Sequence, residues 1–172
     1  MKTDLSIIVA FLNEKDNIER LVAELDKYLA KFNSIKAEVI YVDDGSTDGS
    51  TQILKSLTHG RPNVKIIKLS KNFGSHAAIR AGLLHSSGEF VTFLSADLQD
   101  PLDLIEKLYA KCKEGYDIVF AFRNAIKCGT IERFFSRLYA GLTRLFVYKD
   151  FPKNGFDVVM FNRKIEKNLI KI

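Results

Sequence analysis

The stretch Phe90-Val91-Thr92-Phe93-Leu94-Ser95-Ala96-Asp97-Leu98-Gln99-Asp100-Pro101 decides how the chain is read. Phe90 to Leu94 is an apolar run of the length expected of a buried strand. It ends abruptly, and Asp97, Gln99 and Asp100 then crowd oxygen-bearing side chains into the next few positions. Pro101 suits the first turn of a helix, where its missing N–H costs nothing. Oxygen donors therefore stand at the carboxyl end of a strand, the edge where open α/β sheets bind ligands. Hard oxygen donors there suit a divalent cation such as Mg²⁺, shared with a phosphate. The same residue types also form turns and helix N-caps, so the stretch alone leaves both roles open.

Working outward, the same grammar repeats. Leu5 to Phe11 reads as a buried parallel strand, closed by Leu12-Asn13-Glu14. Ile18, Leu21, Val22, Leu25 and Leu29 then recur at helical spacing. Ala37 to Val42 is a second strand, running into Asp43-Asp44-Gly45-Ser46-Thr47-Asp48, and Ile53, Leu54 and Leu57 mark a short helix. Val64 to Leu69 is a third strand, and Lys71-Asn72-Phe73-Gly74 precedes a helix from Ser75 to Leu84. The strand Glu89 to Leu94 follows, then a helix with Leu104, Ile105, Leu108 and Cys112 inward, then a strand from Ile118 to Phe122. Strict alternation predicts an α/β domain with a mostly parallel, Rossmann-like sheet and right-handed crossovers.

Past Phe122 the pattern changes. Ile131, Phe134, Phe135, Leu138, Leu142, Leu145 and Phe146 share one side of a predicted helix, with Arg133, Arg137 and Arg144 among them and Lys149 beyond. That pattern describes a membrane-surface helix and equally a core-facing helix with solvated arginines. Gly155 to Phe161 reads as one more short strand, with a final helix to Ile172.

The bulk numbers bound the class. A chain of 172 residues, 47% apolar, forms one domain with a real core. A net charge of +5 fits an anionic partner: nucleotide, phospholipid or nucleic acid. Cys112 and Cys128 lack metal or redox spacing and read as free thiols in a reducing compartment. The start Met1-Lys2-Thr3-Asp4 does not resemble a signal peptide, and no apolar run is long enough to span a bilayer. His59, His76 and His85 show no metal spacing.

Three loops carry the chemistry: Asn13-Glu14, Asp43-Asp44, and Asp97 with Gln99. Each follows a strand, and parallel strands place all three at one edge of the sheet. Such a crevice accepts hydrogen bonds from a base and a ribose, or holds a cation. The dinucleotide glycine fingerprint and the Walker loop are absent, which disfavours dehydrogenase and P-loop ATPase readings. Bound phosphates would then rely on a metal and on Lys71 or Arg80, although Lys71 alone reads as a surface lysine.

In order, Ser6-Ile7-Ile8-Val9 leading to Asn13-Glu14, Val42-Asp43-Asp44-Gly45-Ser46-Thr47-Asp48, Lys71-Asn72-Phe73-Gly74, Ala81-Gly82-Leu83 and Ala96-Asp97-Leu98-Gln99-Asp100-Pro101 resemble the family-2 inverting glycosyltransferases of GT-A fold. The likeness is greatest to the dolichyl-phosphate mannosyltransferase and undecaprenyl-phosphate glycosyltransferase group, and it covers residues 5 to about 123. It implies a single catalytic domain over 1–172. Residues 1–123 would form the nucleotide-sugar-binding half, and 124–172 an acceptor-side, membrane-interfacial segment that is C-terminally incomplete. It implies a nucleotide-sugar site of Phe11, Leu12, Glu14, Asp44, Lys71, Ala96 and Asp97, with Mg²⁺ or Mn²⁺ on Asp97 and Gln99. Asp97 and Asp157 are the implied catalytic pair, Asp157 activating the acceptor. The donor would be UDP- or GDP-linked and the acceptor a polyprenyl phosphate at the cytoplasmic membrane face, with no nucleic-acid partner. Transfer to a saccharide or other soluble acceptor, and a non-catalytic nucleotide-sugar-binding module, are the alternatives. The chain departs from the family pattern in three places. Ala10 and Leu12 replace the usual Pro and Tyr, Ser95 stands where the usual Asp-x-Asp motif has its first carboxylate, and Gly155-Phe156-Asp157 matches the downstream acidic segment only loosely.

Overall fold

The run Leu5–Phe11 forms β1, and its composition determines its place. Leu5, Ile7, Ile8, Val9 and Phe11 are all buried, so both faces of the strand need cover and it belongs inside the sheet. The computed structural model describes residues 3–32, 35–99, 101–121 and 158–165. The further strands are β2 (Ala37–Asp43), β3 (Val64–Lys68), β4 (Phe90–Ser95), β5 (Ile118–Ala121) and β6 (Val158–Asn162). The helices are α1 (Ile18–Leu29), α2 (Ser50–Leu57), α3 (Ser75–His85) and α4 (Asp103–Lys113).

The strands form one sheet in the order β3-β2-β1-β4-β6-β5. β1 is parallel to β2 and β4, and β2 is parallel to β3, with α1, α2 and α3 as the crossovers. This is the mostly parallel α/β sheet that the alternation predicts. β6 departs from it: it enters between β4 and β5, antiparallel to both. The reason lies in side-chain burial. Val158, Val159, Met160 and Phe161 form an unbroken apolar run and are all buried, whereas Ile118 and Phe120 of β5 are 42% and 39% exposed. The strand needing cover on both faces takes the inner place, and the half-solvated one takes the edge. The helix expected over 131–147, Asp157 and Cys128 lie outside the described residues. Of the expected final helix, a 3₁₀ turn at Arg163–Ile165 is described.

Two apolar layers result from the period-two alternation of β1. Ile7, Val9 and Phe11 pack with Ile18, Leu21 and Leu25 of α1, Leu54 of α2 and Ile105 and Leu108 of α4. Ile8 faces the other way, with Ile40, Val42, Val91 and Phe161, beneath Ala78 and Leu83 of α3. Helix α3 comes so close to β1 that a Cβ on Gly82 would stand 2.5 Å from Ile8 Cγ2. Cys112 is a buried free thiol, and burial pushes its pKa up to about 11, so it is an inert core residue.

At the amino edge of the sheet, Glu38 is buried and fully occupied. It accepts hydrogen bonds from Ser6 Oγ (2.6 Å), Ser87 N (2.5 Å) and Ser87 Oγ (2.8 Å), and pairs with Lys65 Nζ at 2.8 Å. Burial alone would raise its pKa, but Lys65, Ser6 and Ser87 outweigh that and hold it at about 2. This network ties β1, β2 and the turn before β4 together, at the end opposite the acidic loops.

Candidate functional site

The register of β1 builds the site. Ala10 is paired with Val42 on one side and Ser95 on the other, so the β1 terminus lies between the Asp43-Asp44 loop and the Ser95–Gln99 turn. The three acidic loops therefore meet at one edge, as parallel strands require.

Backbone and side-chain hydrogen bonds join the first two loops. Asn13, at φ 55°, donates its N–H to Ser46 Oγ (2.9 Å) and accepts from Thr47 N through Oδ1 (3.0 Å). Asp48 accepts from Lys15 N at 2.9 Å. Asp43 is fully buried and takes hydrogen bonds from Ser46 N at 2.6 Å and from Thr51 Oγ1, with Lys68 Nζ 3.6 Å away. Burial pushes its pKa up, but the bonds from Ser46 and Thr51 and the Lys68 charge prevail and hold it below the usual range. Asp43 is thus a structural carboxylate that fastens the loop.

Asp44 points the other way. Its N–H bonds to the Phe11 carbonyl at 2.9 Å, while its carboxylate accepts from Phe73 N (2.8 Å) and Gly74 N (2.9 Å). Gly74 is the N-cap of α3, so the carboxylate also lies where that helix concentrates positive charge. Gly45 makes the approach possible. It has φ +85°, and a Cβ there would lie 2.4 Å from the Lys71 carbonyl carbon. A pocket of about 240 Å³ opens beside this clamp, lined by Ala10, Phe11, Leu12, Asp44, Asn72, Gly74, Ser75 and Ala78.

The structure thus brings together Phe11, Leu12 and Asp44 of the expected residues. Ala96 is buried and Asp97 half-buried in the turn after β4, next to the pocket wall through the Ala10–Ser95 pairing. Asp97 Oδ1 accepts Gln99 N at 3.1 Å, which leaves Oδ2 without a hydrogen bond among the described residues, and the Gln99 side chain is exposed. Glu14 does not line the pocket: its carboxylate accepts Asn17 Nδ2 at 2.7 Å in the turn entering α1. Lys71 is exposed, its Nζ 5.2 Å from the centre of the Phe73 ring, and Arg80 is exposed farther along α3; neither lines the pocket. Asp157 lies outside the described residues. Sequence reasoning assigned no role to Asn72, Gly74 or Ser75; the signal for them was Gly74 between a polar loop and a helix start. A larger concavity of about 450 Å³, around Lys55, His59 and Arg61, lies at the opposite edge of the sheet, away from these loops.

Among the described residues, no three His, Cys, Asp or Glu side chains converge as a metal cage. Asp97, whose Oδ2 takes no hydrogen bond among the described residues, and the exposed Gln99 could hold a cation that takes its remaining ligands from a substrate phosphate, the usual mode for Mg²⁺.

Comparison with known proteins gives a consistent result. The profile of glycosyl transferase family 2 matches residues 6–169. An uncharacterized glycosyltransferase of Synechocystis is 36% identical over 166 residues, covering 96% of this chain and 52% of the relative. The undecaprenyl-phosphate 4-deoxy-4-formamido-L-arabinose transferase of Edwardsiella ictaluri is 31% identical, covering 96% of this chain and 51% of the relative. The chain thus spans about half the length of these relatives. A Pyrobaculum calidifontis mannosyltransferase, solved with GDP-Man and Mn²⁺, superposes with a TM-score of 0.65 at 20% identity, covering 98% of this chain and 47% of that one. S. aureus TarS 1-349, solved with UDP-GlcNAc, gives 0.65 at 20% identity, covering 96% and 47%. These likenesses establish the GT-A fold.

Proposed function

The chain belongs to glycosyl transferase family 2, and from that premise we propose that it serves in transferring a sugar from a nucleotide sugar to a polyprenyl phosphate, with inversion at the anomeric carbon. The observation that carries this reading is the meeting of Phe11, Leu12 and Asp44 in one pocket, beside the turn that bears Asp97.

Ala10, Phe11, Leu12 and Ala78 offer apolar walls to the faces of a base. Each Asp44 oxygen uses one lone pair on the Lys71–Gly74 loop and retains another, which accepts an N–H or hydroxyl of the nucleoside. Because the loop already holds it, the carboxylate needs no reordering when the nucleoside arrives. The diphosphate lies toward Ala96 and Asp97, with Lys71 supplying positive charge from the loop. Asp97 and Gln99 would hold Mg²⁺ or Mn²⁺, which would offset negative charge on the diphosphate leaving group. Among the described residues lining the pocket, Asp44 is the ionisable one, and it is engaged as a hydrogen-bond acceptor. An acceptor that is already anionic, such as a lipid phosphate, requires no strong base from the chain. A relative named for undecaprenyl-phosphate chemistry supports this acceptor, and with it a peripheral place at the cytoplasmic membrane face.

Calorimetric titration with UDP and GDP, with and without Mn²⁺, tests the reading. We expect one of them to bind, more tightly with the metal, and Asp97→Ala to remove the metal-dependent increment. Absence of binding by either nucleotide would overturn the assignment of the donor site.

A further inference from the structure

Between Gly49 and Gly88 the chain carries six Lys or Arg and all three of its histidines, but no Asp or Glu. This one block exceeds the net charge of the whole protein, +5. It comprises α2, the edge strand β3 and helix α3. Arg61, Lys65 and Lys68 are paired with acids outside the block, Asp26, Glu38 and Asp43. Lys55, Lys71 and Arg80 have no carboxylate partner among the described residues.

Helix α3 covers its face of the sheet with Ala78, Gly82 and Leu83. Its other side is an exposed stripe of His76, Arg80 and Leu84, spaced four apart. Leu84 is 58% exposed. Phe73, 54% exposed, stands just ahead of the stripe with Lys71 over its ring. Two large apolar side chains are thus set among cations with no acid nearby in sequence. Among the described residues, the other large exposed apolar ones, Tyr116, Ile118 and Phe120, lie at or beside the opposite edge strand, in company with Glu114 and Asp117.

We propose that the α3 face, from Lys71 to Leu84, docks the domain on an anionic lipid surface. Basic groups are drawn to the headgroups while Phe73 and Leu84 enter the apolar boundary. The position of the face gives the docking a purpose. Asn72, Gly74 and Ser75 line the donor pocket and begin the same segment, so docking brings the pocket mouth to the level at which a lipid phosphate presents its oxygen. The inference rests on the membrane-lipid acceptor proposed above.

Vesicle sedimentation at low salt tests it, using phosphatidylcholine alone and with about 30% phosphatidylglycerol. The full chain is expected to sediment with the anionic vesicles and to be released by salt. The double variant Phe73→Ser, Leu84→Ser is expected to bind about tenfold more weakly. His76→Glu should also weaken binding, and because a carboxylate in the first turn suits α3, an unchanged urea midpoint for the variant is expected to separate this loss from unfolding. Wild-type protein that ignores anionic vesicles, or a double variant that sediments like the wild type, overturns the proposal. So does lipid-free self-association that the double variant abolishes, which would assign the face to a second copy. Nucleotide titration of the single variant Leu84→Ser, at the end of α3 away from the pocket, separates the two readings. Intact nucleotide binding with lost vesicle binding supports the docking face. Vesicle binding without nucleotide binding leaves the face standing and removes the donor-site reading.

Discussion

Substituting Gly45 and Gly49 by alanine, one at a time, tests how the donor pocket is held. Both glycines have positive φ, +85° and +94°, so alanine costs each about 1 kcal/mol of backbone strain. Their surroundings differ. A Cβ on Gly49 meets nothing within 4 Å. A Cβ on Gly45 would stand 2.4 Å from the Lys71 carbonyl carbon, 2.7 Å from Asn72 N and 2.8 Å from Lys71 Cα. All three are backbone atoms, so no side-chain rotation relieves the overlap, and the Lys71–Gly74 loop must retreat by about 1 Å to reach ordinary contact. Overpacking of this kind adds about 1–3 kcal/mol. The same shift would stretch the Asp44 bonds to Phe73 N and Gly74 N, now 2.8 and 2.9 Å, beyond hydrogen-bonding range. Gly45→Ala is therefore expected to lose about 2–4 kcal/mol and Gly49→Ala about 1 kcal/mol, read as shifts of the urea midpoint at constant slope. Nucleotide affinity should fall in the first and hold in the second. Equal destabilisation by the two substitutions, or full nucleotide affinity in Gly45→Ala, would refute the claim that the close approach of these loops shapes the pocket.

Two other perturbations address separate parts of the molecule. Asp44→Asn keeps one acceptor for the loop and loses the charge at the start of α3; it should cost about 1 kcal/mol and Asp44→Ala about twice that, measured by urea unfolding without nucleotide. If neither changes stability, Asp44 does not clamp the loop. Glu38 has a folded pKa of about 2 against an ordinary value of 4.5, so its stabilisation is present above pH 4.5 and is lost as pH falls toward 2. That loss amounts to about 3 kcal/mol, and Glu38→Gln, followed by thermal unfolding between pH 2 and 6, should flatten this part of the profile. An unchanged acid limb would remove Glu38 as its source.

Run length, apolar period and glycine punctuation are local properties, and they sufficed for the alternation of strands and helices from Leu5 to Ala121. Parallel pairing then follows from the crossovers, which is why Asp44 and Asp97 were expected at one edge and are found there. The position of β6 was not legible in this way. An apolar run announces that a strand needs cover, but not which neighbours provide it, and Val158–Asn162 pairs with segments about 40 and 70 residues earlier. Nor did the sequence divide the labour among the carboxylates. Asp43 and Asp44 are adjacent, yet one is locked by Ser46, Thr51 and Lys68 and the other faces the pocket through Phe73 and Gly74. Successive residues at a strand end point to opposite sides, and the partner of each comes from a loop that only folding delivers. By itself, the sequence determined that an α/β sheet would carry three acidic loops at one edge. The tertiary structure decided which oxygens brace the frame and which remain open to a ligand, because hydrogen-bond partners are assigned by distance in space and not by distance along the chain.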